Sequence, residues 1–78
     1  MRHRKYDSRR LSYLVAKDKL TYQELARSIG LITGQEVMAT TVRRHVLGSS
    51  QPNLQYLAAY ADYFCIPIDY FFEGLLKP

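Results

Sequence analysis

Residues 21–52 constrain the fold most strongly, because they predict two short amphipathic helices joined by a spacer. Thr21 and Glu24 form an S/T-x-x-E capping box, in which two side chains satisfy free backbone donors at a helix start. Gly30 is placed to end this helix, and Gly48 to end the next one. No stretch of the chain alternates at period two for long enough to predict a strand. The segment therefore indicates a helical domain.

Apolar periodicity and helix-capping residues predict an all-α fold with five helices. Their expected bounds are 8–18, 21–29, 39–47, 54–64 and 67–73. Asp7 or Ser8 can cap the first helix and Asn53 the fourth, while Pro67 suits the first position of the fifth.

Chain length and charge predict one domain with an uneven charge distribution. A chain of 78 residues buries only about 60% of its unfolded surface, so we expect one compact domain over residues 8–74. A basic arm (1–7) precedes it and a short tail (75–78) follows. Residues 1–47 hold ten Lys or Arg and four Asp or Glu, whereas residues 48–78 hold one and three, giving +6 and −2. This asymmetry favours a polyanionic partner for the first half, and a solvated charged face is the alternative.

The third helix combines an apolar face with an open face of hydrogen-bonding side chains. Val42 and Val46 lie four residues apart and should face the core. The other face is formed by Thr40, Thr41, Arg43, Arg44 and Leu47. Arginine can bind guanine through two hydrogen bonds in the major groove of DNA, and threonine can contact a phosphate or a thymine methyl group. An ordinary solvent-exposed helix face is the alternative.

The order and spacing of these motifs point to one family. The matching positions are 20–26 (LTYQELA), Gly30, Val42, Gly48, Pro52, Leu54, Leu57, Ala61 and 66–74 (IPIDYFFEG). Over residues 11–74 the chain resembles the Cro and lambda-repressor-type helix-turn-helix domains, also called the XRE family.

The resemblance implies a compact five-helix domain that binds duplex DNA, usually as a homodimer on a (pseudo)palindromic operator. The second and third helices would form the helix-turn-helix, with the third in the major groove. Carried over by position, the base-reading residues would be Ala39, Thr40, Thr41, Arg43 and Arg44. The expected function is sequence-specific transcriptional regulation, by a small phage (Cro-like) or bacterial repressor. The alternative is a protein-interaction module, such as an antitoxin or adaptor, that keeps the fold.

The chain departs from the family in three places. Eleven residues separate Gly30 from Val42, several more than is usual, so the turn is extended or a helix is longer. Val46 replaces a glutamate that is common at this position. Met38 stands where a serine cap is expected, and Thr40 could cap instead.

Phosphate contacts are expected from the basic arm and from other cations of the first half, and the resemblance implies further ones at the start of the second helix. The candidates are Arg2, Arg4, Lys5, Arg9, Arg10, Lys17, Lys19, Tyr22, Gln23 and Arg27. The arm could enter the minor groove, or it could be a disordered tail that adds only attraction.

Two sets of apolar side chains are candidates for a dimer interface. Tyr56, Tyr60 and Tyr63 form a stripe opposite the predicted inner face of the fourth helix, which would consist of Leu54, Leu57, Ala58, Ala61 and Phe64. The alternative is that the stripe packs within the domain. A second candidate surface contains Phe71, Phe72, Leu75 and Leu76.

Other functional classes lack a supporting motif. One cysteine, Cys65, excludes an internal disulfide and fits a reducing cytoplasm, and its apolar neighbours predict burial. His3 and His45 do not have zinc-site spacing, and His45 borders the inner face of the third helix. No nucleophile–base pair or phosphate-binding glycine loop is visible, so we expect no enzyme activity, metal, cofactor or small-molecule ligand. No apolar run is long enough to span a membrane.

Overall fold

The structure is a computed structural model that describes residues 5–72, and its ordered elements are helical. The elements are α1 (Ser8–Lys17), α2 (Tyr22–Thr33), α3 (Ala39–Leu47), α4 (Leu54–Phe64) and a 3-10 turn (Ile68–Phe71). Within these residues the only β-type pairing is an isolated antiparallel bridge between Tyr6 and Phe72. The expected all-α fold is confirmed. The expected fifth α-helix is wrong, because the chain makes only four residues of 3-10 helix before Phe72 becomes extended.

Local side chains start three of the four helices, as the sequence predicts. The Asp7 carboxylate caps α1. At α2 the Thr21 hydroxyl accepts from the Glu24 N–H at 3.0 Å, and the Glu24 carboxylate accepts from the Thr21 N–H at 2.9 Å. Asn53 caps α4 by accepting from the Tyr56 N–H at 2.9 Å. Each bond satisfies a backbone donor that the helix itself leaves free.

Helix α2 passes through Gly30 and ends at Gly34, which adopts φ +74°. The expectation that Gly30 ends the helix is therefore wrong. A Cβ at Gly30 would lie 2.8 Å from the Gln35 carbonyl oxygen, so glycine is required there by the loop that folds back over it. The extra turn of α2 takes up part of the long spacer, and Thr33 donates its hydroxyl to the Ile29 carbonyl at 3.0 Å.

One core joins all the elements. It consists of Leu11, Val15, Leu25, Ala26, Ile29, Val42, Val46, Leu57, Ala59, Tyr60, Ala61 and Phe71. Helix α3 packs against α1 and α2, while α4 packs against α2 and the 3-10 turn. Val42 and Val46 are buried, which confirms the inner face predicted for α3.

Helix α4 buries only part of the predicted face: Leu57 and Ala61 are buried as expected, and Phe64 packs against the core. Leu54 is 72% exposed and Ala58 is also exposed, whereas Tyr60 is completely buried. Cys65, expected in the core, is exposed and ends the helix at φ +58°. Among the described residues, no helix is both long and apolar enough to cross a membrane.

Candidate nucleic-acid interface

The outer face of α3 presents cations and hydroxyls to solvent. Thr40, Arg43 and Arg44 are exposed, and Leu47 at the end of the helix is 55% exposed. Ala39 and the flanking Thr41 are half-buried. The helix contains no acidic residue. The five residues expected to read bases therefore lie on one helix, with Thr40, Arg43 and Arg44 most accessible.

The bounds of α3 follow from its two ends. Met38 is the N-cap and makes no side-chain capping bond, so Thr40 lies inside the helix and does not cap it. Gly48 ends the helix at φ +83°, a left-handed conformation that glycine adopts without strain. The outer face of α3 thus begins at the first residue of the helix, Ala39.

Two side chains of α2 extend this surface. Gln23 and Arg27 are exposed and lie one turn apart. Both line an open cleft of about 660 Å³ that also includes Ala39 at the start of α3 and Glu36 in the preceding loop. The cleft places two polar α2 side chains next to the first residue of α3. Glu36 contributes one negative charge to the same cleft, which opposes an anion there.

The arginine side chains differ in whether they form ion pairs with other groups of the protein. Within residues 5–72 the ion pairs join Arg9 and Arg10 to Asp7. The hydrogen bond from the Arg9 side chain is the main reason why the pKa of Asp7 is lowered from 3.8. In that same part of the chain, no ion pair involves Arg43 or Arg44.

Arg10 does not lie on an open surface, contrary to the expected phosphate contact. Its side chain is 25% exposed, 3.6 Å from the Asp7 carboxylate, and donates to the Tyr70 carbonyl at 3.3 Å. The guanidinium carbon is also 5.4 Å from the centre of the Tyr70 ring. Arg10 therefore joins α1 to the 3-10 turn.

The other expected phosphate contacts differ in their exposure. Lys5, Lys17 and Lys19 are exposed, and Arg9 is exposed while bonded to Asp7. Tyr22 is half-buried against the core and borders a cleft between α1, α2 and α3. Arg2 and Arg4 lie outside the described residues.

A buried network holds the last turn of α3, and the sequence did not reveal it. The His45 Nδ1 atom lies 2.8 Å from the Tyr60 hydroxyl, and the His45 carbonyl accepts from the Tyr6 hydroxyl at 2.8 Å. The Tyr56 ring meets His45 edge-on with centroids 5.0 Å apart. Burial lowers the pKa of His45 and raises the pKa of Tyr6 and Tyr60, so all three side chains are neutral at neutral pH.

The tyrosine stripe does not form an exposed surface. Tyr60 is fully buried, bonded to His45 and packed edge-on against Phe71, so its expected place in a subunit interface is wrong for this fold. Tyr56 and Tyr63 are half-buried against the core. In the second candidate surface, Phe71 is completely buried, contrary to that expectation, and Phe72 is half-buried and paired with Tyr6. Its other two members, Leu75 and Leu76, lie outside the described residues.

Neither a metal-binding cluster among the described residues nor a known relative indicates a function for this protein. In the part of the chain that the structure describes, no group of three or more His, Cys, Asp or Glu side chains could hold a metal ion. Comparisons with protein-family models, curated proteins and solved structures give no match to this chain.

Proposed function

We propose that this protein is a sequence-specific double-stranded DNA-binding regulator, in which α2 and α3 act as a helix-turn-helix of the lambda-repressor type and α3 reads the major groove. The observation that carries the proposal is the outer face of α3. It combines the exposed Arg43, Arg44 and Thr40 on a helix without acidic residues. We further propose a small phage or bacterial repressor that acts in the cytoplasm as a homodimer on a two-fold operator.

The side chains suggest a division of roles. Arg44 and Thr40 point directly away from the core, so they would meet base edges, with arginine matched to guanine. Arg43 lies at the side of this face and could contact either a base or a phosphate. Gln23 and Arg27 at the edge of the cleft would contact the DNA backbone and fix the register of α3.

The alternative function, a protein-interaction module, loses the surface it was expected to use. It depended on an exposed tyrosine stripe, and Tyr60 is buried. The positive face of α3 has no evident role in such a module. DNA binding is therefore the better supported of the two functions.

The proposal is tested by fluorescence anisotropy with duplex DNA taken from upstream of the protein's own gene, in the presence of competitor DNA and over a salt series. Arg44→Ala should weaken binding by about 1–3 kcal/mol and relax specificity if Arg44 reads a base. Gln55→Ala, which alters an exposed residue of α4, is the matched control and should bind normally. No binding to any duplex at low salt would refute the proposed function.

A further inference from the structure

Two tyrosine hydroxyls hold His45 in the last turn of α3. The Nδ1 atom of its ring lies 2.8 Å from the Tyr60 hydroxyl of α4, and its backbone carbonyl accepts from the Tyr6 hydroxyl at 2.8 Å. His45 is 4% exposed and Tyr60 is fully buried, so the bond between their side chains lies away from water, where it is electrostatically stronger. The last turn of α3 is therefore held through both a side chain and the backbone.

The bond between His45 and Tyr60 joins two helices that pack mainly against other elements. Helix α3 packs against α1 and α2, whereas α4 packs against α2 and the 3-10 turn. Val42 and Val46 hold α3 on the core, but apolar contacts have no preferred direction. A hydrogen bond is directional and weakens steeply as its angle narrows. The bond to Tyr60 therefore fixes the rotation of α3 about its own axis more closely than apolar packing does.

The direction of Arg44 depends on this rotation. Arg44 directly precedes His45 in the helix and is exposed. Within residues 5–72 no ion pair involves its guanidinium, so the helix backbone determines where the side chain leaves the protein. A side chain that extends about 5–6 Å from the helix axis moves about 1 Å for a rotation of about 10°. Binding sites require their side chains to be held within about 0.5 Å and 10–20°, so a small rotation of α3 is enough to misplace Arg44.

We infer that Tyr60 is a positioning residue for base recognition, which sets the rotation of α3 through its hydrogen bond to His45 and thereby the direction of Arg44. The inference rests on the proposed function and adds a residue that determines specificity from the core, without touching DNA. Loss of the bond should lower the preference for the correct base pair. Attraction to phosphates carries no sequence information and should change little.

The test measures base preference position by position in the full chain. Selection from a pool of random duplexes by the wild-type protein gives a preferred sequence, and fluorescence anisotropy gives the affinity for this duplex and for its single base-pair variants. Arg44→Ala identifies the base pair that Arg44 reads, where loss of a bidentate contact lowers the preference by about 5–150-fold. Tyr60→Phe removes only a hydroxyl, and we expect it to lower the preference at that same base pair, with an unchanged dependence of affinity on salt.

Two changes at His45 test the same bond from the α3 side. His45→Leu removes the bond and should lower the same preference, so the inference is tested even if Tyr60→Phe does not fold. His45→Gln provides an amide that can still bond the Tyr60 hydroxyl, and it should keep the preference.

Two controls separate positioning from a general loss of stability. Tyr13→Phe removes the same hydroxyl from an exposed tyrosine of α1 and should match wild type. Ile66→Ala removes apolar packing beyond the end of α4, so it should lower the Tm but leave base preference unchanged. All affinities are measured at a temperature at which circular dichroism shows every compared variant to be folded.

Three results would overturn the inference while the protein still binds DNA. The first is wild-type base preference in both Tyr60→Phe and His45→Leu. The second is a loss of affinity in these variants that is equal for every duplex, and the third is the same uniform loss in Arg44→Ala, since Arg44 would then contact only phosphate. Absence of binding to any duplex by the wild-type protein would instead refute the proposed function.

Discussion

Protonation of His45 should destabilise the fold at mildly acidic pH. The side chain is 4% exposed, and its Nδ1 atom lies 2.8 Å from the Tyr60 hydroxyl. The rings of Tyr56 and Tyr60 border it edge-on. Burial lowers the pKa of His45 from its ordinary value of 6.5, because the imidazolium cation loses its hydration. The unfolded chain therefore takes up the proton more readily than the folded protein.

The size of the effect follows from linkage between proton binding and folding. The stability that the folded protein gains by keeping His45 neutral is fully present well above pH 6.5. It is lost as the pH falls from there through the folded-state pKa of His45. Between the unfolded and folded pKa values, the free energy of unfolding falls by at most about 1.4 kcal/mol per pH unit. In a domain of this size 1 kcal/mol shifts the Tm by about 4–8 °C, so the fall reaches about 5–11 °C per pH unit.

The measurement is thermal unfolding by circular dichroism between about pH 7.5 and 5.0, for wild type and His45→Gln. The glutamine can still bond the Tyr60 hydroxyl but does not titrate. His3 is present in both proteins and cancels in the comparison. Asp7 titrates below this range, because its pKa is lowered from 3.8. If the Tm of both proteins fell in parallel with pH, the argument from His45 burial would be refuted.

Further predictions concern the helix ends and are tested by urea unfolding. Gly34→Ala should cost about 1–2 kcal/mol, since its backbone is left-handed but a Cβ would meet nothing within 4 Å. Gly48→Ala should cost more, because the new Cβ would also lie 2.7 Å from the Ser8 oxygen, and adding Ser8→Ala should reduce the loss to that of Gly34→Ala. Equal losses in the free energy of unfolding for Gly34→Ala and Gly48→Ala would contradict the expected clash with Ser8. Thr21→Ala should cost about 0.5–2 kcal/mol by breaking the capping box with Glu24, and an unchanged unfolding midpoint would count against that role.

The helix starts could be predicted because their determinants are local. Asp7, Thr21 and Asn53 each bond a backbone N–H two or three residues further along the chain. Such bonds depend on short-range geometry, which the residue order alone specifies. The outer face of α3 was predictable for a related reason, since Val42 and Val46 define its inner side through helix periodicity.

The end of α2 could not be predicted because a contact with the following loop decides it. A glycine after an amphipathic stretch is typical of a helix stop, and Gly30 fits that pattern. In the structure this glycine leaves space for the Gln35 carbonyl, a contact that exists only after the loop has turned back. The stop is instead at Gly34, where φ is +74°. Local sequence cannot distinguish a glycine required for space from one required for its backbone angle.

The buried network at His45 was missed for an energetic reason that applies to all of α4. Periodicity favoured an inner face containing Leu54, and burial of a leucine contributes about 1.5–3 kcal/mol. Burial of an aromatic side chain contributes a similar amount, and an edge-on aromatic pair adds about 0.5–1.5 kcal/mol, provided the tyrosine hydroxyl finds a partner. His45 supplies that partner and Phe71 supplies an edge-on ring contact, so burial of Tyr60 prevails and Leu54 remains in solvent. The partner lies fifteen residues away on the helix proposed to read DNA, so this bond links α4 directly to that helix.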